Sequence, residues 1–195
     1  MNMRLSRRRG DGIFLNKFYN EGACATVAAA WRVSDEECRW VAYGDSVVFH
    51  YKRKSKSLEH SFTRLADFSR PPMLVSCKDP LVEEGFRCGA FHLDEDSVVF
   101  AASDALSHYV LMMYELANCG RFGEELAEEA LRRSGNSALL RTAETVRFDF
   151  QADVLEPLLK AAEKESTFKT HVRSLIERGV LDVDDMTVVV LGAPV

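Results

Sequence analysis

The run Ser97-Val98-Val99-Phe100-Ala101-Ala102-Ser103-Asp104-Ala105-Leu106-Ser107-His108-Tyr109-Val110 constrains this chain more than any other stretch. Its first half is apolar and rich in β-branched residues, so Val98 to Ala102 predicts a buried strand. From Ala105 the pattern changes, and Leu106, Tyr109, Val110 and Met113 recur at the spacing of one helix face. Asp104 therefore stands where a strand stops and a helix starts. Rigid elements would fix its oxygens beside an open strand end, which suits a metal ligand. Asp is equally a good helix N-cap. The local sequence leaves both roles open.

The rest of the chain frames that junction. Gly22 to Trp31 is small and apolar and suits a strand, although its alanines also permit a helix. Ser34-Asp35-Glu36-Glu37 reads as a turn, and Cys38 to Tyr43 alternates as a second strand, forming a hairpin with the first. Gly44-Asp45-Ser46 interrupts the pattern before Val47 to Tyr51 resumes it, the signature of a bulge or tight bend. Short strands are expected over 73–76 and 88–93. Helices are expected over 105–118, 122–133, 153–163 and 167–178, with breaks at Gly120, Gly135 and Gly179. Asp184-Asp185-Met186-Thr187 then feeds a last strand, Val188-Val189-Val190-Leu191. Strands come first, helices enter late and a final strand returns, an order that suits an α+β fold better than regular βαβ winding.

The chain is 195 residues long, enough for one domain with a sizeable core. We divide it into a basic, flexible N-terminal segment, 1–20, and a single domain, 21–195. The arginines Arg4, Arg7, Arg8 and Arg9 read as a frayed terminus, and Lys52 to Ser57 and Asp94-Glu95-Asp96 as solvated turns. The formal net charge of -5 argues against a nucleic-acid-binding surface over the whole domain. No apolar run approaches a membrane span and the N-terminus lacks a signal-peptide pattern, so no membrane partner and a cytoplasmic location are expected. The five cysteines, Cys24, Cys38, Cys77, Cys88 and Cys119, make no C-x-x-C pair and read as buried free thiols.

Two carboxylate sites stand out by placement: Asp104 after one apolar strand, and Asp184-Asp185 before another. If those strands are antiparallel neighbours, the carboxylates meet at one sheet edge. An all-carboxylate set without cysteine favours a hard ion such as Mg²⁺ or Mn²⁺. Such an ion orients phosphate oxygens and lowers the pKa of a bound water.

Gly44-Asp45-Ser46 in a hairpin, the strand leading to Ser103-Asp104-Ala105-Leu106, and Asp184-Asp185-Met186-Thr187 before valines occur here in a familiar order. Together with Ala23-Cys24-Ala25-Thr26, this order resembles the metal-dependent serine/threonine phosphatases of the 2C type from about Gly22 to Leu191. The resemblance implies a four-layer α/β/β/α sandwich, two antiparallel sheets flanked by helices, with a binuclear Mg²⁺ or Mn²⁺ centre at one end. It implies Asp104 and Asp184 as metal ligands, and Asp45 as a residue behind the ligands or a ligand of an additional metal. Asp185 and His108 are neighbours of that site.

Departures from the family pattern are equally specific. Ala105 replaces a usual glycine. His108 stands where many members have an aspartate, and an imidazole there favours a softer metal. The family's bridging aspartate lies in an Asp-Gly pair on an early strand; the only such pair here is Asp11-Gly12, with no apolar strand ahead of it, so Asp11 is carried as a candidate alone. Without that bridging anion two cations repel, and fewer than two metals are expected. Missing strands would leave an open sheet edge, predicting a homodimer through it. Two functions follow. One is a protein phosphatase acting on phosphoserine or phosphothreonine. The alternative is a catalytically inactive phosphatase-like module that regulates a partner kinase or holds a phosphoprotein.

Overall fold

The computed structural model describes residues 19–20, 22–118 and 148–192. The expected helix over 122–133, the arginine arm, Asp11 and Cys119 lie outside them. The described chain is mixed α+β. Its strands are β1 (Cys24–Ala25), β2 (Val27–Arg32), β3 (Glu37–Tyr43), β4 (Val47–Lys52), β5 (Ser57–His60), β6 (Val75–Ser76), β7 (Phe86–His92), β8 (Ser97–Ala102) and β9 (Val188–Val190). Helix α1 (Asp104–Ala117) follows β8, while α2 (Glu156–Ala162) and α3 (Glu165–Glu177) precede β9; a π-helical turn, Gln151–Leu155, leads into α2.

Three sheets form, all with antiparallel pairings: β5-β4-β8-β9, β2-β3-β7 and the small β1-β6. The two larger ones meet face to face. Alternation along β4 and β8 explains how. Val48 and Val99 point to the three-stranded sheet and join Cys38, Phe91 and Leu93 in one buried cluster. Val47, Phe49, Tyr51, Val98, Phe100 and Ala102 point the other way and pack with Leu106, Val110 and Leu111 of α1 and Leu155 and Leu158 at the start of α2. Burial on both faces is why these two strands read as continuous apolar runs. Each fully buried large side chain here contributes about 1.5–3 kcal/mol, more than the capping contacts of α1 can.

Two expectations are corrected. Gly44-Asp45-Ser46 makes the bend that is one of the two expected forms, but it is neither a bulge nor the turn of a paired hairpin: β3 and β4 lie in different sheets, and the three residues cross from one to the other. Cys38 is buried, but Cys24, Cys77 and Cys88 are exposed free thiols; β1 and β6 are short edge pieces, and Cys88 faces outward on β7. The turns read as solvated are largely exposed and also pair with each other: Lys54 Nζ lies 2.6 Å from Asp96 and Lys52 Nζ 3.9 Å from Asp94.

The outer face of the three-stranded sheet carries Val27, Trp31 and Phe86, exposed by 39, 47 and 52%. Among the described residues no helix is long and apolar enough to cross a membrane.

Candidate functional site: a carboxylate end of the sheet

Strand register brings the three predicted carboxylates to one end. Val47 pairs with Ala102, and Ala102 pairs with Val188, so these residues form one row across β4, β8 and β9. Asp45 precedes that row by two residues, Asp104 follows it by two and Asp184 precedes it by four. The antiparallel alternation β4-β8-β9 thus sends all three past the same edge. This was the condition posed by the sequence, and it is met.

Asp104 does not cap α1. Ser103 occupies the N-cap position and Asp104 is the first helical residue. A carboxylate there still gains from the unpaired N–H groups and partial positive charge of the first turn. Its oxygens are not spent on a capping bond. Ser103 is likewise engaged elsewhere: its Oγ accepts from Thr187 N at 3.1 Å and donates to the Asp185 carbonyl at 3.1 Å. Ser103 N also donates to Thr187 O at 3.0 Å. These bonds splice the acidic loop before β9 onto the start of α1. Within the loop, Asp185 N donates to Asp184 Oδ1 at 2.7 Å.

Asp45 is fixed by the crossover. Gly44 has φ +94°, and a Cβ there would lie 2.5 Å from Thr26 Cγ2 and 2.8 Å from Met73 O. Only glycine satisfies that conformation in that space. Next along, the Ser46 and Thr26 hydroxyls share a 2.7 Å hydrogen bond that ties the crossover to the start of β2. Partial burial pushes the Asp45 carboxyl above its ordinary range, and the negative charge of Asp104, with a smaller part from Asp184, pushes the same way against the pull of Arg87. Asp45 therefore feels the charge of both other acids. A divalent cation would relieve that repulsion, and all-oxygen donors suit Mg²⁺ or Mn²⁺.

Among the described residues, however, no group of three or more His, Cys, Asp or Glu side chains is placed to hold a metal ion. His108 is buried, with its ring 5.3 Å from that of Phe68, and burial lowers its pKa against the pull of Asp182. It is a core residue beside the site rather than an evident ligand. Asp185 is exposed and takes part through its backbone.

Two participants escaped the sequence reading. Ser103 looked like punctuation between strand and helix. Arg87 lies on the inward row of β7 with Gly89 and Phe91, and a lone arginine at an inward strand position was the available signal. Its Nη2 donates to the Gly44 carbonyl, and its guanidinium carbon sits 4.9 Å from the centre of the Phe62 ring.

Comparisons with protein-family models, curated proteins and solved structures return no match for this chain.

Proposed function

We propose that this chain is a phosphatase-type domain of the metal-dependent 2C class, directed at phosphoserine or phosphothreonine in a protein. The observation that carries this reading is the register-fixed convergence of Asp45, Asp104 and Asp184, in motif order, at one end of a sheet packed on a second sheet. Asp104 and Asp184 would hold Mg²⁺ or Mn²⁺, with Asp45 behind them or on an additional cation. The bound ion supplies a water of lowered pKa and screens the phosphoryl charge. The chain's own work is to orient: Ser103 sets the spacing between Asp104 and the Asp184 loop, and Gly44 delivers Asp45 between the sheets.

In the full four-layer arrangement, the exposed outer face of β2-β3-β7 is the face that a second helical layer would cover. The edge of β2, unpaired among the described residues, is where a second copy of the chain would add its own β2 across a two-fold axis, giving the homodimer. A cytoplasmic location agrees with the free thiols, which reducing conditions preserve.

One observation favours the inactive binding or regulatory module: the lack, among the described residues, of three ligand side chains around one point. Hydrolysis of an aryl phosphate with Mn²⁺ decides between the two. Turnover that both Asp104→Asn and Asp184→Asn abolish supports the enzyme. No turnover above background in Mg²⁺ or Mn²⁺, with the protein folded, supports the module.

A further inference from the structure

Arg87 is held at two points and unfinished at a third. The bond from Nη2 to the Gly44 carbonyl and the Phe62 ring beneath the guanidinium fix its plane. Nη1 reaches only Thr63 Oγ1, at 3.5 Å, the long limit for a hydrogen bond. Nε is buried and has no hydrogen-bond partner. A buried donor of a charged group is costly to leave unpaired, so the group is poised for an acceptor it lacks. Asp45 does not fill that role: the two side chains interact electrostatically, yet no hydrogen bond joins them.

Beside Arg87 opens a cleft of about 370 Å³, shared with Asp45, Thr63 and Arg70. Arg70 is directed to Asp67, 3.5 Å away. Arg87 is therefore the half-buried cation that faces both this cleft and the carboxylate end.

We infer that Arg87 is the group that receives a phosphoryl oxygen of the substrate, through its unpaired Nε–H. The inference rests on the phosphatase-type reading of the neighbouring carboxylates. A planar guanidinium held at Nη2 aims its Nε–H in one fixed direction, which a flexible lysine ammonium does not. An incoming phosphate oxygen satisfies the free Nε–H, while Nη2 stays on the Gly44 carbonyl. No bond is made or broken in this step. Asp45, Asp67 and Glu84 also border the cleft, so their charge opposes an anion. Phosphate binding is consequently linked to the cation: a divalent ion on the carboxylates offsets that charge and tightens the anion's hold.

Calorimetric titration of the full chain with inorganic phosphate, with and without Mg²⁺, tests this. Wild type is expected to bind in the millimolar range or tighter, and more tightly with Mg²⁺. Arg87→Met weakens binding by about tenfold or more, the loss of a charge-assisted bond. Arg87→Lys, which keeps the charge and can still reach the Gly44 carbonyl, falls between. Circular-dichroism melts report whether both variants fold. Should Arg87→Met not fold, the Nε–H signal of wild-type Arg87 in ¹H–¹⁵N spectra, assigned with Arg87→Lys, must shift when phosphate is added. Wild type that binds no phosphate, Arg87→Met that binds it unchanged, or a stationary Nε signal overturns the assignment. The wider reading fails separately: Arg87-dependent phosphate binding without any aryl phosphate hydrolysis keeps this inference and sinks the enzyme.

Discussion

Ser103 and Thr187 hold each other through two hydrogen bonds, Ser103 N to Thr187 O at 3.0 Å and Thr187 N to Ser103 Oγ at 3.1 Å. The pair joins the start of α1 to the loop entering β9, and so sets how far Asp104 stands from Asp184. Removing the hydroxyl in Ser103→Ala breaks the bond from Thr187 N and the one to the Asp185 carbonyl. At about 0.5–1.5 kcal/mol for each net bond, the loss is about 1–3 kcal/mol. Urea denaturation measures it, and faster amide exchange at Thr187 locates it. An unchanged midpoint means the splice does not hold the loop.

Gly44→Ala is expected to be more damaging than its size implies. The new Cβ meets Thr26 Cγ2 at 2.5 Å and Met73 O at 2.8 Å, with φ at +94°. Left-handed backbone costs about 1–2 kcal/mol for a non-glycine residue and overpacking about 1–3, so a loss of about 2–5 kcal/mol is expected. A thermal midpoint within experimental error of wild type would show that the crossover is loose rather than packed.

Metal stoichiometry reads the completeness of the carboxylate end directly. One Mn²⁺ per chain is the expected result of equilibrium dialysis followed by elemental analysis. Asp184→Asn should lose it without loss of fold. No bound metal in wild type favours the binding module. Two ions would require a further ligand from outside the described residues.

Acid should weaken the fold in a window set by histidine. Burial lowers the pKa of His50 and, with Arg87 adding to it, of His60; Glu59 opposes the shift at His50. A histidine whose folded pKa is depressed takes up its proton more readily when unfolded. Its stabilising contribution is therefore fully present above the ordinary value of about 6.5 and is lost as pH falls from there toward the folded pKa. Melting temperature should drop between about pH 7 and pH 5.5. Asp45 runs the other way, since its raised pKa favours the fold on the acid side of the carboxylate range. A melting temperature that stays flat across the histidine window would contradict the burial of both rings.

Self-association through the edge of β2, unpaired among the described residues, predicts a dimer by light scattering at tens of micromolar. A charged substitution on the adjoining apolar face, Trp31→Glu, should shift it toward monomer. Wild type that is monomeric there removes the dimer.

By itself the sequence determined the elements that rest on local periodicity and on burial. Val98 to Ala102 and the helix behind it emerged with near-correct ends, because an apolar run bounded by Ser103 and a change of period needs no partner to be read. The strand order, and with it the convergence of Asp45, Asp104 and Asp184, was legible only as a condition. Side chains alternate along a strand whatever its neighbour, so which strands pair, and in which register, is written in contacts between distant residues. Tertiary structure also decided that Gly44-Asp45-Ser46 crosses between sheets, because a glycine turn has the same local signature in a hairpin and in a crossover. The exposure of Cys24, Cys77 and Cys88 follows from their places on a short edge strand, in the bend after β6 and on an outward face, which thiol chemistry does not encode. Arg87 shows the same limit most sharply. A charge at one inward position of a strand marks a residue as unusual, but only the packed sheets reveal that it bonds the Gly44 carbonyl and faces the carboxylates.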